Sequence, residues 1–399
     1  MSVPRNVRLL TWFNFWSEFR LYAPVAILYF SQVSGSYALG MSVWSIARLS
    51  QSLFEVPTGV FSDMIGRKLT MTCGAAASAL SLIFYAIGGS YPALIIGAIF
   101  EGLAFSFFSG NNDAFLYDTL AETGETEAFQ EYMGKTASGF QAALGISALI
   151  GSLIAAVSFQ VVMWLSVIPM VIALFISLQM TEPRVHSPAD TNIYAHLREA
   201  FQNIVNNPRL RIISIASILS FAIGESAWLF RSTFIETLWP VWALGIAQMI
   251  GNLTAAVSYY FAGRLIRRFG ELRLLVGGMS IGEATNLFAL IFPSILSPLI
   301  MSANSIFYGV NTVAKGGLMQ REFTDQQRAT MGSLTSFGGS LVFVVFSVLL
   351  GALADRTSPV TALIVAAALG LIPMALYWWG LRDDTPAKPT VSTLETGTL

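Results

Sequence analysis

Apolar stretches of about membrane-spanning length follow one another along this chain, separated by short polar or glycine-containing breaks. A bilayer core about 30 Å thick needs roughly 20 apolar residues per crossing helix. The stretches predict helices over 7–31, 39–61, 69–89, 92–119, 138–158 and 162–181. A second set is predicted over 209–237, 241–264, 272–292, 296–320, 328–353 and 358–381. The expected fold is an all-α membrane protein with twelve transmembrane helices in two pseudo-symmetric six-helix bundles.

Composition agrees with that reading. Hydrophobic residues make up 54% of the chain and charged residues only 11%, against about 25% charged in soluble domains. A net charge of −1 gives no basic surface for nucleic acid. The single cysteine, Cys73, allows no internal disulfide framework. The two histidines, His186 and His196, lie together in a polar stretch, so no His/Cys metal site and no cofactor are expected. The first apolar run contains Asn14, Glu18 and Arg20 and is too long for a cleaved signal, so it is expected to stay in place.

The longest polar interval separates the two sets. The expected organisation is an N-terminal bundle over 1–181, a linker with a short amphipathic helix near 192–206 within 182–208, a C-terminal bundle over 209–381, and a disordered tail over 382–399. Placing the N-terminus in the cytoplasm puts Arg5, Arg8, Arg67, Lys68, Lys135, Arg264, Arg267, Arg268 and Arg273 on that side or at its border, with Arg356 almost alone opposite. This positive-inside bias predicts a multi-pass protein of the plasma membrane (the inner membrane of a bacterium), with both termini, linker and tail cytoplasmic.

Internal repetition supports the two halves. Gly59 and Gly66 bracket the joint after the second helix, and Gly263 and Gly270 bracket the joint after the eighth at the same spacing. Arg267–Arg268 echo Arg67–Lys68. A weaker echo pairs Gly139 and Gly145 with Gly332 and Gly338.

The stretch "GVFSDMIGRKLTM" from Gly59 resembles the signature of the major facilitator superfamily of secondary transporters, keeping Gly59, Asp63, Gly66, Arg67 and Lys68. It departs at Met64, where that family usually has arginine, and at Met71. The upstream "EVPTG" and the "YDTL" of Tyr117–Leu120 look like a branch of the family rich in exporters. The Gly-Pro signature of drug–proton antiporters is missing from "GISALIGSLIAA", and the fourth helix offers Glu101, Asp113 and Asp118 but no arginine. The resemblance implies a gate made by Glu55, Gly59, Asp63, Gly66, Arg67, Lys68 and Asp113, which latches the halves in one conformation. The residues have their own logic too: Gly66 allows a tight turn, and Asp63 is placed to accept from Arg67 or a neighbouring helix N-terminus. No phosphate-binding loop is present, so ATP drive is not expected.

Polar residues three or four apart share a helix face, and four helices carry such stripes. The first has Asn14, Glu18 and Tyr22; the fourth has Glu101, Phe105, Phe108 and Asn112. The seventh has Phe221, Glu225 and Trp228; the tenth has Asn304, Tyr308, Asn311 and Lys315. In the resembling family these four helices line the central cavity, so these fourteen residues are the expected substrate site. The alternative for serines and asparagines is helix–helix glue. Ionisable residues in spanning helices face a cavity or one another; Glu18, Glu225 and Glu101 are the candidates for proton coupling. Arg20, Arg48 and Arg231 are expected in buried ion pairs, with Arg20–Glu55 or Arg48–Glu18 both open, or Arg231 snorkelling outward.

Three motifs are decoys. "GMSIG" (Gly278–Gly282) matches a nucleophile pattern, but no intramembrane histidine exists to serve as base; close helix packing is expected. "ALADR" (Ala352–Arg356) falls on the opposite membrane side from the signature and is expected to be a terminating turn, and Asn252 sits inside a helix, out of reach of glycosylation. The expected function is secondary active transport of a small organic solute by alternating access, coupled to a proton or other ion, with export favoured. The solute expected is polar or zwitterionic with an apolar part, and the protein is expected to act as a monomer in the lipid bilayer. An importer, or a receptor of the same fold, is the alternative; a membrane enzyme is not expected.

Overall fold

The computed structural model describes residues 4–183, 204, 206–321 and 328–382. The predicted amphipathic helix near 192–206 falls almost wholly outside the described residues, as does the tail beyond Arg382. Eight α-helices form the N-terminal set: α1 (Arg5–Ser17), α2 (Ala26–Ser34), α3 (Tyr37–Ile65), α4 (Arg67–Ile87), α5 (Tyr91–Phe108), α6 (Asn111–Thr123), α7 (Phe129–Ala155) and α8 (Phe159–Gln179). Seven form the C-terminal set: α9 (Pro208–Ile235), α10 (Leu244–Phe269), α11 (Glu271–Ile291), α12 (Ser297–Ala303), α13 (Tyr308–Arg321), α14 (Arg328–Arg356) and α15 (Pro359–Leu381). Among the described residues, nine helical rods are long and apolar enough to cross a bilayer. The rods that miss this test are α1 with α2, α3, and α12 with α13; the first and the last of these are broken.

Three predicted helices are broken. The run over 7–31 stops at Ser17 and resumes through a 3-10 turn at Ala23–Val25. Pro24 has no N–H and its ring crowds the carbonyl four residues back, which favours an interruption here, although α3, α8 and α15 continue through Pro57, Pro169 and Pro373. The freed Leu21 carbonyl lies directly against Gly151 of α7, where no side chain fits. The run over 92–119 breaks at Ser109–Gly110, with Gly110 in the left-handed region at φ 69°. The run over 296–320 passes through a 3-10 segment, Asn304–Phe307. Irregular backbone at membrane depth persists only where it is buried in protein or lines a cavity, so these breaks mark the interior.

The signature stretch is not a loop. α3 continues to Ile65 and α4 begins at Arg67, leaving Gly66 as a one-residue joint at φ 97°. Gly270 joins α10 to α11 at φ 83° with nearly the same ψ. The glycine repeat in the sequence is therefore one joint built twice.

The two sets meet along α3 and α14, along α7 and α10, and where α2 touches α9. Their packing is uneven from end to end. One hydrophobic cluster contains residues of both sets, among them Phe30, Met41, Tyr85, Phe230, Leu244 and Leu363. Towards the other end the core divides, one cluster around Leu10, Phe13, Phe115 and Leu120 and another around Ile213, Leu275, Leu318 and Tyr377. The end holding Gly35, Ser158, Glu236 and Asp355 is thus sealed, and the end holding Gly66, Gly124 and Gly270 is split. Among the described residues, a Cβ on Gly59 or on Gly332 would meet nothing within 4 Å there.

Candidate functional site

Polar groups at the sealed end join the sets. The Asp355 carboxylate at the end of α14 accepts from the Tyr37 N–H at 2.7 Å and the Ala38 N–H at 2.9 Å. These are unpaired donors of the first turn of α3, and Ser36 caps a third, from Leu39, at 3.1 Å. The predicted terminating turn "ALADR" is therefore still helical through Arg356 and caps a helix of the other set. One level inward, the Ser45 and Ser347 hydroxyls share a hydrogen bond at 2.6 Å. On the α7–α10 side, Ser152 donates to the Trp242 carbonyl at 2.8 Å, and Gly245 lets the α7 backbone approach closely.

Near the middle of α3, Arg48 lies 3.7 Å from Glu225 of α9. Its guanidinium also donates to Gln51 at 3.1 Å and sits 5.5 Å from the centre of the Phe221 ring. Among the described residues this is the one ion pair between the sets. Glu18 instead accepts from Arg20 at 2.9 Å. Both open pairings, Arg20 with Glu55 and Arg48 with Glu18, are corrected. In an unbroken helix, residues two apart point about 200° away from each other; the break after Ser17 lets Arg20 fold back onto Glu18 and over the Phe105 ring at 4.7 Å. Arg231 does not snorkel: it donates to the Met301 carbonyl at 3.1 Å and lies within electrostatic reach of Glu283.

Glu101 is 5% exposed and sits inside the N-terminal set. It accepts from the Tyr22 hydroxyl at 2.6 Å and the Tyr85 hydroxyl at 2.7 Å. Beside it a cavity of ≈ 290 Å³ opens among α1, α5, α6 and α7. Its polar lining is Asn14, Ser17, Glu18, Asn112, Asp113 and Thr136. Phe105, Phe108 and Phe140 supply much of the apolar wall. Asn112 donates to Asn14 across the cavity rim at 3.0 Å.

The C-terminal stripe divides. Asn304 donates to the Gly282 carbonyl at 2.8 Å, and Asn311 packs on Gly278. The two glycines of "GMSIG" are thus seats for the two asparagines of the neighbouring rod. Tyr308 is exposed and meets the Tyr259 ring edge-on at 6.0 Å; Trp228 is exposed as well. Lys315, one turn past Asn311, is half-buried, and no ion pair to it occurs among the described residues.

At the split end, Arg67 is the hub. It lies 3.1 Å from Asp63 and 3.8 Å from Asp118, and donates to the Ser62 hydroxyl at 2.9 Å. Asn111 accepts from Ser62 and donates to the Arg67 carbonyl, closing a ring of polar contacts between α3, α4 and α6. Glu182, just beyond α8, accepts from the Arg67 and Lys68 N–H groups at 2.6 and 2.8 Å. Glu55 accepts from Ser109 at 3.1 Å, while Asp113 stands further along the cavity wall.

Sequence periodicity did not single out Tyr85, Thr136, Phe140, Glu182 or Glu283. Glu283 carried the same signal as Glu225, a lone carboxylate in an apolar run. The others carry no local signal, because their roles depend on which helix faces them.

The sequence pattern of the Major Facilitator Superfamily matches residues 9–303 and 233–398. The chain is 21% identical over 373 residues to YxaM, an MFS-type transporter of Bacillus subtilis strain 168, covering 90% of this chain and 91% of that one. A shorter match, 28% identical over 116 residues, reaches the MFS-type transporter MJ1317 of Methanocaldococcus jannaschii, 29% of this chain and 27% of the other. In fold, the chain is similar to the crystal structure of the nucleoside transporter NupG, with a TM-score of 0.81 at 14% identity, over 96% of this chain and all of NupG. A bacterial homologue of the lysosomal transporter Spinster, in an inward-facing and unoccupied conformation, aligns with a TM-score of 0.74 at 14% identity, over 96% of this chain and 98% of the homologue.

Proposed function

Because the chain belongs to the Major Facilitator Superfamily, and is on that ground an integral, multi-pass membrane transporter of a small molecule rather than an enzyme, we propose that it is an ion-coupled exporter working by alternating access. The observation that carries this reading is the uneven core: one shared apolar cluster at the sealed end, two separate clusters at the split end, and intramembrane charges between them. Two rigid sets hinged at such a seam expose the same interior to one side or the other in turn.

The split end is assigned to the cytoplasm, since Arg67, Lys68, Arg264, Arg267, Arg268 and Arg273 cluster there. The protein is then inward-facing, in a plasma membrane, with both termini cytoplasmic. The solute enters beside α1, α5 and α6, where Asn14, Glu18 and Asn112 meet the aromatic wall, and Arg48–Glu225 closes the path above it. Rocking opens the sealed end and brings α14 against α3, where Gly59 and the Asp63–Arg67 hub complete the cytoplasmic gate. Asp63 is 53% exposed and free to meet an approaching helix.

Coupling needs a carboxylate that trades its cation for a proton as the sets rock. Glu18 and Glu225 each hold one arginine at a place the solute reaches, whereas Glu101 of α5 accepts from Tyr22 in the break between α1 and α2 and from Tyr85 of α4, and so ties those elements together. The test uses single cysteines in a Cys73→Ser background. Met133→Cys in the cavity should react with an impermeant maleimide in inside-out vesicles and far more slowly in right-side-out ones. Equal reaction from both sides overturns the inward-facing assignment. In proteoliposomes, an outward proton antiport predicts that Glu18→Gln abolishes pH-gradient-driven accumulation, while solute exchange persists at a raised solute concentration that offsets the weaker binding. Unchanged accumulation removes Glu18 from the coupling role.

A further inference from the structure

We propose that the solute is an organic cation with an apolar body, held in the N-terminal cavity between Glu18, Asp113 and the aromatic wall. This rests on the transport reading above and narrows the polar or zwitterionic solute to one chemical class.

The cavity shows an excess of hydrogen-bond acceptors. Asn112 spends its N–H on Asn14, and its carbonyl oxygen is buried without a partner. Glu18 gives one oxygen to Arg20 and keeps the other free. Asp113 is exposed on the cavity wall and has no cation at ion-pair distance among the described residues. The donors that face them, the remaining amide hydrogens of Asn14 and Asn112 and the Ser17 and Thr136 hydroxyls, are all neutral.

Ser17 adds an independent sign of a ligand. It is only 7% exposed, yet its hydroxyl has no hydrogen-bond partner although it lines the cavity. The Thr136 hydroxyl on the facing helix α7 is buried and unpartnered in the same way. A buried polar atom left unpaired costs about 1–3 kcal/mol, so three of them on residues lining one space are groups that a bound polar molecule or water would satisfy.

Charge selects which polar group. Among the described residues, the cavity lining holds two carboxylates and no cation. The guanidinium of Arg20, outside that lining, is held by Glu18 and covers the face of Phe105. The Glu18–Arg20 pair is neutral as a whole, so an anion would meet the uncompensated charge of Asp113, whereas an ammonium pairs with Asp113 and finds the free oxygens of Glu18 and Asn112 on the same cavity lining. Phe108 and Phe140 favour a cation and its hydrocarbon body alike, because aromatic faces are negative and apolar. At ≈ 290 Å³ the space suits a molecule of metabolite or small-drug size.

The test is equilibrium binding to the purified full-length protein in nanodiscs, using phenylbutylammonium, phenylbutanol and phenylbutyrate as matched probes. The ammonium should bind saturably and about tenfold or more tightly than the alcohol, with the carboxylate weakest. Asp113→Asn and Glu18→Gln should each weaken the ammonium and leave the alcohol unchanged. Thr136→Trp, which fills the cavity from α7, should abolish binding while the size-exclusion profile stays that of folded protein. Carboxylate or alcohol binding as tight as the ammonium overturns the proposal. So does absence of saturable ammonium binding, or ammonium affinity unchanged in both carboxamide variants. If the carboxylate wins but Thr136→Trp still abolishes it, the cation assignment falls and the cavity as transport site stands. Survival of ammonium binding in Thr136→Trp overturns the placement.

Discussion

Removing the Asp355 carboxylate should unlock the sealed end. Its two oxygens take the Tyr37 and Ala38 N–H groups at 2.7 and 2.9 Å, across the boundary between the sets. The helix N-terminus carries about half a positive charge, worth roughly 0.3–1 kcal/mol to a nearby anion at an exposed site. Each hydrogen bond adds about 0.5–1.5 kcal/mol net. The site is exposed, so the lower values apply, and Asp355→Ala should cost the sealed state about 1–2 kcal/mol. That moves a two-state equilibrium about five- to thirtyfold. Asp355→Asn keeps one acceptor, loses the charge and should fall between. Spin labels on Val157→Cys and Ile295→Cys, both strongly exposed near the sealed end, report the change as growth of a long-distance population in double electron–electron resonance, in a Cys73→Ser background. Ser36→Ala is the control, because it removes a cap from the same helix turn without crossing between the sets. Identical distance distributions in the parent, Asp355→Asn and Asp355→Ala refute the reasoning. So does a Ser36→Ala shift as large as that of Asp355→Ala, since the effect would then belong to α3 alone.

Gly151→Leu should prevent folding or lower the thermal inactivation temperature sharply, because the Leu21 carbonyl occupies that space; thermal unfolding in detergent measures it. Tyr85→Phe leaves one Glu101 oxygen without its donor and should destabilise by about 1–3 kcal/mol, read in the same assay, while Tyr22→Phe should match it in size. Gly59→Leu meets open space here and should leave stability unchanged while trapping the inward-facing state, seen as cavity labelling from the cytoplasmic side that persists under conditions favouring export. Gly66→Ala forces a Cβ into the left-handed region beside the Glu182 carboxylate and should cost about 1–2 kcal/mol; Glu182→Ala in the same chain should recover the part due to crowding.

Much of the architecture is legible residue by residue. Apolar length sets the rods, and the glycines of the repeat fall at the two positive-φ joints, Gly66 and Gly270. Serines 36, 158 and 358 cap the helices they precede. The packing role of "GMSIG" followed from the lack of a nearby base, and Asn304 and Asn311 supply the partners. The break at Pro24 was written in the sequence as well, but a long apolar run outweighed it.

Pairing was not legible. Arg20 found Glu18 only because the helix between them opens, and Arg48 found Glu225 because two long side chains reach each other between α3 and α9. Asp355 looked like the end of a helix and is also the cap of another. Transfer from water to lipid acts on each segment by itself, so the sequence alone determined which segments are apolar enough to leave water and roughly how long they are. Ion pairs, caps and cavities depend on the register and crossing of helices distant in the chain, and only the tertiary structure decided those.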